Sequence, residues 1–294
     1  MNKIKIAICL SGEPRYWDLG SSSIASFIKQ HKADCDIDVF YHFWNTITKR
    51  QSHLIHNPII ETINENILCN NYKPTVGICE NKDALNSHIN VAWEYIQKLI
   101  KQHNIEHDSL RESLRTKDDF SKSVKTTNCP PYSQLISMCK SFTCMTDYAE
   151  KNNINYDIII RSRSDIEISP IPTSKLHSIV RKDKLSRYIQ FPSISIRKSI
   201  EHQYTPFIEY CFFVSSSNIL NKSVFENYSN KIVQLLFNVK TKNNYKKTTI
   251  SYLSSHNCVP LFLRQNKKTE LGAPISGFKY KLKQMPLERN IHVK

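Results

Sequence analysis

The first forty-four residues restrict the fold more than any other part of the chain. From Lys3 to Leu10 the pattern starts alternating and becomes continuously apolar, as in a strand entering a core. A turn follows at Ser11-Gly12-Glu13-Pro14-Arg15. Residues 18–32 then place Leu19, Ile24, Phe27 and Ile28 at helical spacing, and Ile37 to Trp44 is a second run of strand-forming residues. Strand, turn, helix and strand within about 40 residues make a βαβ unit, which commits its two strands to a parallel sheet covered by helices.

The remainder continues the alternation. Residues 58–78 predict a helix and a short strand, and 83–103 an amphipathic helix through Leu85, Ile89, Trp93, Ile96, Leu99 and Ile100. Residues 104–128 are polar and charged and read as an exposed loop. Pro130-Pro131 precedes a helix over 132–151, and a strand over 156–163 follows. Further strands are expected at 187–197 and 207–215, helices at 216–239 and 246–257, and a last strand at 258–264. The pattern gives one α/β domain over 1–264, Rossmann-like, with a mostly parallel central sheet flanked by helices, and a basic, irregular tail over 265–294.

Charge and composition narrow the function. A formal charge of +15 over 294 residues suits an anionic partner: a phosphorylated small molecule, a nucleic acid, or the anionic face of a membrane met peripherally. The 5 glycines include no G-x-G-x-x-G run, so a glycine-rich dinucleotide loop is excluded. The 9 cysteines include no C-x-x-C pair, which argues against a zinc site of the usual spacing and for a reducing, cytoplasmic setting. Cys9, Cys211 and Cys258 sit in apolar runs and read as small core residues. No apolar run approaches the 18 residues of a membrane span, and the N-terminal run, broken by Lys5, is not a signal peptide.

The densest chemistry lies in Tyr156-Asp157-Ile158-Ile159-Ile160-Arg161-Ser162-Arg163-Ser164-Asp165-Ile166. A buried strand here ends in two arginines and an aspartate, at the end where α/β sheets hold ligands. Arg161, Arg163 and Asp165 share parity, so in an extended chain they face one side. Two guanidiniums suit a diphosphate, and the carboxylate suits a metal or a sugar hydroxyl; the alternative is an ion-pair ladder at a strand end. The turn carrying Ser11, Gly12, Glu13 and Arg15 offers backbone N–H groups and a cation to an anion. Asp38, His42 and Trp44 on the second strand, Ser137, Met138 and Lys140 on the following helix, and Glu209 before an apolar strand complete the candidates. His42 and Trp44 read equally as core. Glu209 reads as a general base or as the partner of an arginine.

In order, these motifs resemble a family of glycosyltransferases encoded in bacterial capsule and lipopolysaccharide clusters and in large DNA viruses. The resemblance runs over about residues 3–263. It rests on Leu10-Ser11-Gly12-Glu13-Pro14-Arg15, Asp38-Val39-Phe40-Tyr41-His42-Phe43-Trp44, the Ser137-Met138 helix, Tyr156 to Asp165, and Glu209 to Ser216. It implies a GT-A-like fold and transfer of a sugar from a nucleoside diphosphate sugar to a glycan or lipid-linked acceptor. It further implies Ser11, Gly12, Arg15, Arg161, Arg163 and Ser137 at the donor, His42 and Trp44 at the acceptor, Glu209 and Asp165 in catalysis, and Asp165 on Mn²⁺ or Mg²⁺. The chain departs from the family where Arg163 replaces the first of two metal-binding aspartates, where Glu209 replaces an aspartate, and where Lys247-Thr248-Thr249-Ile250 occupies the place of a glutamate-bearing helix. Two other readings stand beside it: a basic nucleic-acid-binding protein, and a transferase fold that binds glycan without turnover. Because the motifs sit at strand ends and not on a basic helix, no nucleic-acid partner is expected.

Overall fold

A computed structural model describes residues 3–49, 59–125, 132–168, 171–181, 188–190, 194–198, 204–208, 213–218, 220–242, 247–252, 270–272 and 280–282. The chain opens with β1 (Ile4–Gly12), α1 (Trp17–His31) and β2 (Cys35–Trp44). An antiparallel pair, β3 (Thr46–Lys49) and β4 (Ile59–Thr62), leads to α2 (Glu65–Tyr72), β5 (Val76–Glu80) and α3 (Asn86–Gln102). Next come α4 (Lys117–Lys125), α5 (Tyr132–Lys151), β6 (Ile158–Ser162), β7 (Ile166–Ile168) and α6 (Thr173–Arg181). The strands β8 (Tyr188–Gln190), β9 (Ile194–Lys198), β10 (Tyr204–Ile208) and β11 (Phe213–Ser215) precede α7 (Lys222–Phe225) and α8 (Tyr228–Leu236). β12 (Phe237–Lys242), β13 (Lys247–Tyr252), β14 (Glu270–Gly272) and β15 (Tyr280–Leu282) close the described chain.

The main sheet runs β14-β8-β11-β6-β1-β2-β5. Its four adjacent strands β6, β1, β2 and β5 are mutually parallel, and β11 joins them antiparallel to β6. The parity of β1 divides the core. Ala7 and Cys9 enter one apolar cluster with α3, α5 and α8; Ile4, Ile6, Ile8 and Leu10 enter the other with α1, α2 and α6. A strand buried on both faces must be apolar at successive positions, which is why β1 reads as a continuous run from Ile6 to Leu10. The α/β class and the parallel centre therefore stand as expected. Among the described residues no helix is long and apolar enough to cross a membrane.

Several local expectations are corrected. Of the expected exposed loop at 104–128, the described part, 104–125, is no exposed loop: two short 3₁₀ turns and α4 bury Leu110, Leu114, Phe120 and Val124 against α3 and α5. The side chain of Thr116 accepts from the Asp119 N–H at 3.0 Å and so starts α4 within a polar sequence. The helix expected over 216–239 is α7 and α8, and the chain turns to strand at Phe237. The helix expected at 246–257 is strand β13 from Lys247 to Tyr252, paired antiparallel with β12. In the tail, Glu270–Gly272 pairs parallel with β8 and Tyr280–Leu282 antiparallel with β7. The proposed strand at 258–264 and the Pro130-Pro131 pair lie outside the described residues.

Candidate functional site

The chain builds β2 on one side of β1 and β6 on the other. It leaves β1 through α1 on one face of the sheet and reaches β6 through α5 on the opposite face. At their carboxyl ends both strands turn to the α1 face: β1 runs into α1 itself, and β6 into the 163–165 turn, β7 and α6, which pack with α1. Open α/β sheets bind ligands in the crevice outside the carboxyl ends of their strands, and this edge is the candidate one here. Ser11 and Gly12 end β1 here, and Ser162 ends β6 beside Leu10.

On the α5 side of this edge Ser11, His42, Ser137 and Arg161 are buried. Ser137 Oγ, on α5, accepts from the Gly12 N–H at 2.8 Å. It lies 2.8 Å from the carbonyl oxygen of His42 and 2.8 Å from His42 Nδ1. His42 Nε2 in turn lies 3.0 Å from Glu80 Oε2 at the end of β5, and Lys140 of α5 pairs with the same oxygen. Lys140 also sits 5.8 Å from the centroid of the buried Trp44 ring. Arg161, fully buried, donates from Nη2 to Ser11 Oγ at 3.1 Å. Gly12 makes the turn possible: its φ of 112° lies where a side chain would be strained.

Counting protons fixes what this network can do. A serine hydroxyl has one hydrogen. If Ser137 gives it to the His42 carbonyl, His42 must donate from both nitrogens and be an imidazolium. If Ser137 gives it to Nδ1, His42 is neutral and Nε2–H donates to Glu80. Burial of His42 lowers its pKa, against the hydrogen bond it donates to Glu80, and so favours the neutral form. That hydrogen bond to His42, opposed by burial and reinforced by Lys140, holds the Glu80 carboxyl down at about 2. Serine, histidine and glutamate are the members of a hydrolytic triad, but the Ser137 and His42 side chains are both fully buried. The trio is a brace between β1, β2, β5 and α5, with no path for an acyl group.

The α1 side is more open. Glu13 pairs with Arg15 at 2.8 Å and with Lys82 at 2.6 Å, and Lys82 also donates to the carbonyl of Lys125 at 3.0 Å. Burial pushes the Glu13 carboxyl up, but the charges of Arg15 and Lys82 and their hydrogen bonds outweigh it and hold the group down at about 2. Arg163 pairs with Asp165 through Nε, at 2.8 Å, and through Nη2. The Arg163–Asp165 turn lies on the first turn of α1. A Cβ on Gly20 would come within 1.9 Å of the Ser164 carbonyl oxygen, so only glycine fits there.

The structure thus brings together Ser11, Gly12, Arg15, Ser137, His42, Arg161, Arg163 and Asp165, but not by shared parity. β6 ends at Ser162, so Arg163 and Asp165 turn toward α1 while Arg161 stays inside on the α5 side. His42 and Trp44, expected to face an acceptor, are buried and form the floor. Asp38 lies back along β2, its two carboxylate oxygens taken by Thr75 and Tyr156, each at 2.8 Å. Met138 is core. Glu209 falls outside the described residues. Asp165, expected on a divalent cation, has both oxygens on Arg163, and among the described residues no group of three or more His, Cys, Asp or Glu is placed to hold a metal. The residues around Asp165 therefore do not fit a protein-held cation. Sequence reasoning missed Glu80 and Lys82. The signal for Glu80 was a carboxylate directly after the apolar run Val76 to Cys79. No protein-family model matches the chain, and no curated protein or solved structure is significantly similar to it.

Proposed function

We propose that the chain is a GT-A-like glycosyltransferase that moves a sugar from a nucleoside diphosphate sugar to a glycan or lipid-linked acceptor in surface polysaccharide or glycoprotein glycan synthesis. One observation supports the reading: cationic side chains gather at the carboxyl ends of β1, β5 and β6. Among the described residues Arg15 and Lys82 pair with Glu13, Lys140 with Glu80 and Arg163 with Asp165, while Arg161 donates to Ser11. A departing nucleoside diphosphate is stabilised by such cations.

In the reaction the acceptor hydroxyl oxygen bonds to the anomeric carbon. The bond from that carbon to the diphosphate oxygen breaks, and its electron pair leaves with the nucleoside diphosphate. Arg15 and Arg163, the more accessible of the arginines, meet the diphosphate; Arg161 and Ser137 act behind them by holding Ser11 and Gly12. Glu209 is assigned as the base that takes the acceptor proton. No step is assigned to a divalent cation. The reading includes a cytoplasmic location, where free thiols such as Cys9, Cys35 and Cys139 persist.

The test is a thermal-shift series with UDP, GDP, CDP and TDP and their common sugars, each with Mn²⁺, Mg²⁺ or EDTA, followed by turnover of whichever donor binds. A ligand that binds only the folded state raises the melting temperature. A shift by one nucleotide family is expected. No shift from any donor, beside binding to DNA or RNA that fades with salt, would overturn the reading in favour of nucleic-acid binding.

A further inference from the structure

The amino-terminal edge of the same sheet holds a second cavity that the transferase reading does not use. It lies between α1 and α2 over the first half of β2 and has a volume of about 910 Å³, within the range of small-molecule sites. Its lining includes Ile24, Ile28 and Ile37 together with Lys29, Lys32 and Lys73. Two carboxylates also reach it, and both are already committed. Asp36 pairs with Lys3 at 3.2 Å, and both oxygens of Asp38 accept from the Thr75 and Tyr156 hydroxyls. Lys29, Lys32 and Lys73 have no acidic partner among the described residues, and all three are exposed.

Lysines near helix C-termini complement the helix dipole, which accounts for a cation at the end of α1 and of α2. The dipole does not require three of them to share one cleft, nor that cleft to carry isoleucines. Unpaired ammonium groups above an aliphatic surface match a ligand with a phosphate at one end and a hydrocarbon at the other. We propose that this cleft binds a phosphate or diphosphate ester of an aliphatic chain. The inference is independent of the transferase reading, since the cleft adjoins Cys35 to Val39 at the start of β2 and the crevice adjoins its other end.

The experiment is calorimetric titration of the full chain with n-octyl phosphate and with inorganic phosphate, on wild type and two variants. Saturable binding of octyl phosphate is expected, tighter than that of inorganic phosphate. The triple variant Lys29→Gln/Lys32→Gln/Lys73→Gln should weaken it about tenfold, as three exposed charge contacts allow. Lys98→Gln/Lys101→Gln, on exposed positions of α3 across the sheet, should leave it unchanged. Absence of saturable binding, equal binding of inorganic phosphate, or equal weakening in both variants would each overturn the proposal. Co-sedimentation with phosphatidylcholine vesicles identifies the source. Dependence on added phosphatidate that the triple variant loses points to a membrane lipid; octyl phosphate binding without vesicle binding points to a free ester. Melting curves of the variants guard against unfolding. Any nucleotide-induced shift should survive in the triple variant, which separates the two sites.

Discussion

The two sides of the crevice solve the same electrostatic problem differently. On the α5 side Ser11, Ser137, His42 and Arg161 are sealed from water, and each is tied to another strand or helix. On the α1 side the Arg15 side chain is 35% exposed and that of Arg163 19%, and each is paired with a carboxylate only two residues away. A buried polar group without a partner is expensive, so the sealed side has to be rigid. Arg15 can leave Glu13 to Lys82 and take up a ligand phosphate at little cost. The contrast divides labour: one side sets the geometry and the other makes contact.

The largest effect that would break this contrast is expected from Ser137→Ala. It removes the acceptor of the Gly12 N–H and the partner of His42, both buried, and should cost on the order of 2–4 kcal/mol of unfolding free energy by denaturant titration. A loss below about 1 kcal/mol would mean that the sealed side is not a brace. Gly20→Ala follows. A glycine-to-alanine change in a helix normally stabilises by about 0.4–1 kcal/mol. Here the added methyl would strike the Ser164 carbonyl, so a net loss of about 1–3 kcal/mol is expected, with weakened nucleotide binding because the Arg163–Asp165 turn is displaced.

Arg15→Ala sharpens the contrast from the open side. Glu13 keeps Lys82, so stability should change by less than about 1 kcal/mol, while nucleoside diphosphate affinity should fall about tenfold or more. The smallest effect is on acid stability. Glu13 is held at about 2 in the folded chain against an ordinary value of 4.5, so its contribution is present above pH 4.5 and is lost as the pH falls toward 2. Urea melts of Glu13→Gln should show a shallower decline over that window than wild type. His88 gives a second window. Burial, helped by the charge of Lys140 and against that of Glu80, lowers it from 6.5 to about 4, so its contribution disappears between those values as the pH falls.

What could be read from sequence follows from how local the determining interactions are. Residues 3–44 were legible because β1, α1 and β2 each carry their own periodicity and pair with one another. The motif residues at the ends of β1 and β6 were legible because charge after an apolar run marks a strand end. The orientation of Arg163 was not, since parity holds only while the chain stays extended and β6 stops one residue earlier. Residues 247–252 were misread because Ser, Lys and Asn blur helical and extended patterns; Thr248, Thr249, Ile250 and Tyr252 were the overlooked strand signal. Lys82 was invisible for another reason. Its partner Glu13 is 69 positions away, and only the fold brings them together.

The position of β1 between β2 and β6 also dictates a schedule. β1 can pair with β2 after closing a loop of about 30 residues, whereas its contact with β6 spans 152, as between Lys5 and Asp157. The fivefold longer closure costs only about 1.4 kcal/mol more, but it lies late in the chain. A ribosome that has not yet released Ser162 carries a chain with one wall of the crevice and no opposite wall. On the transferase proposal, nascent protein would thus be unable to capture a nucleotide until α5 has docked, and binding competence should appear as one of the last events of folding.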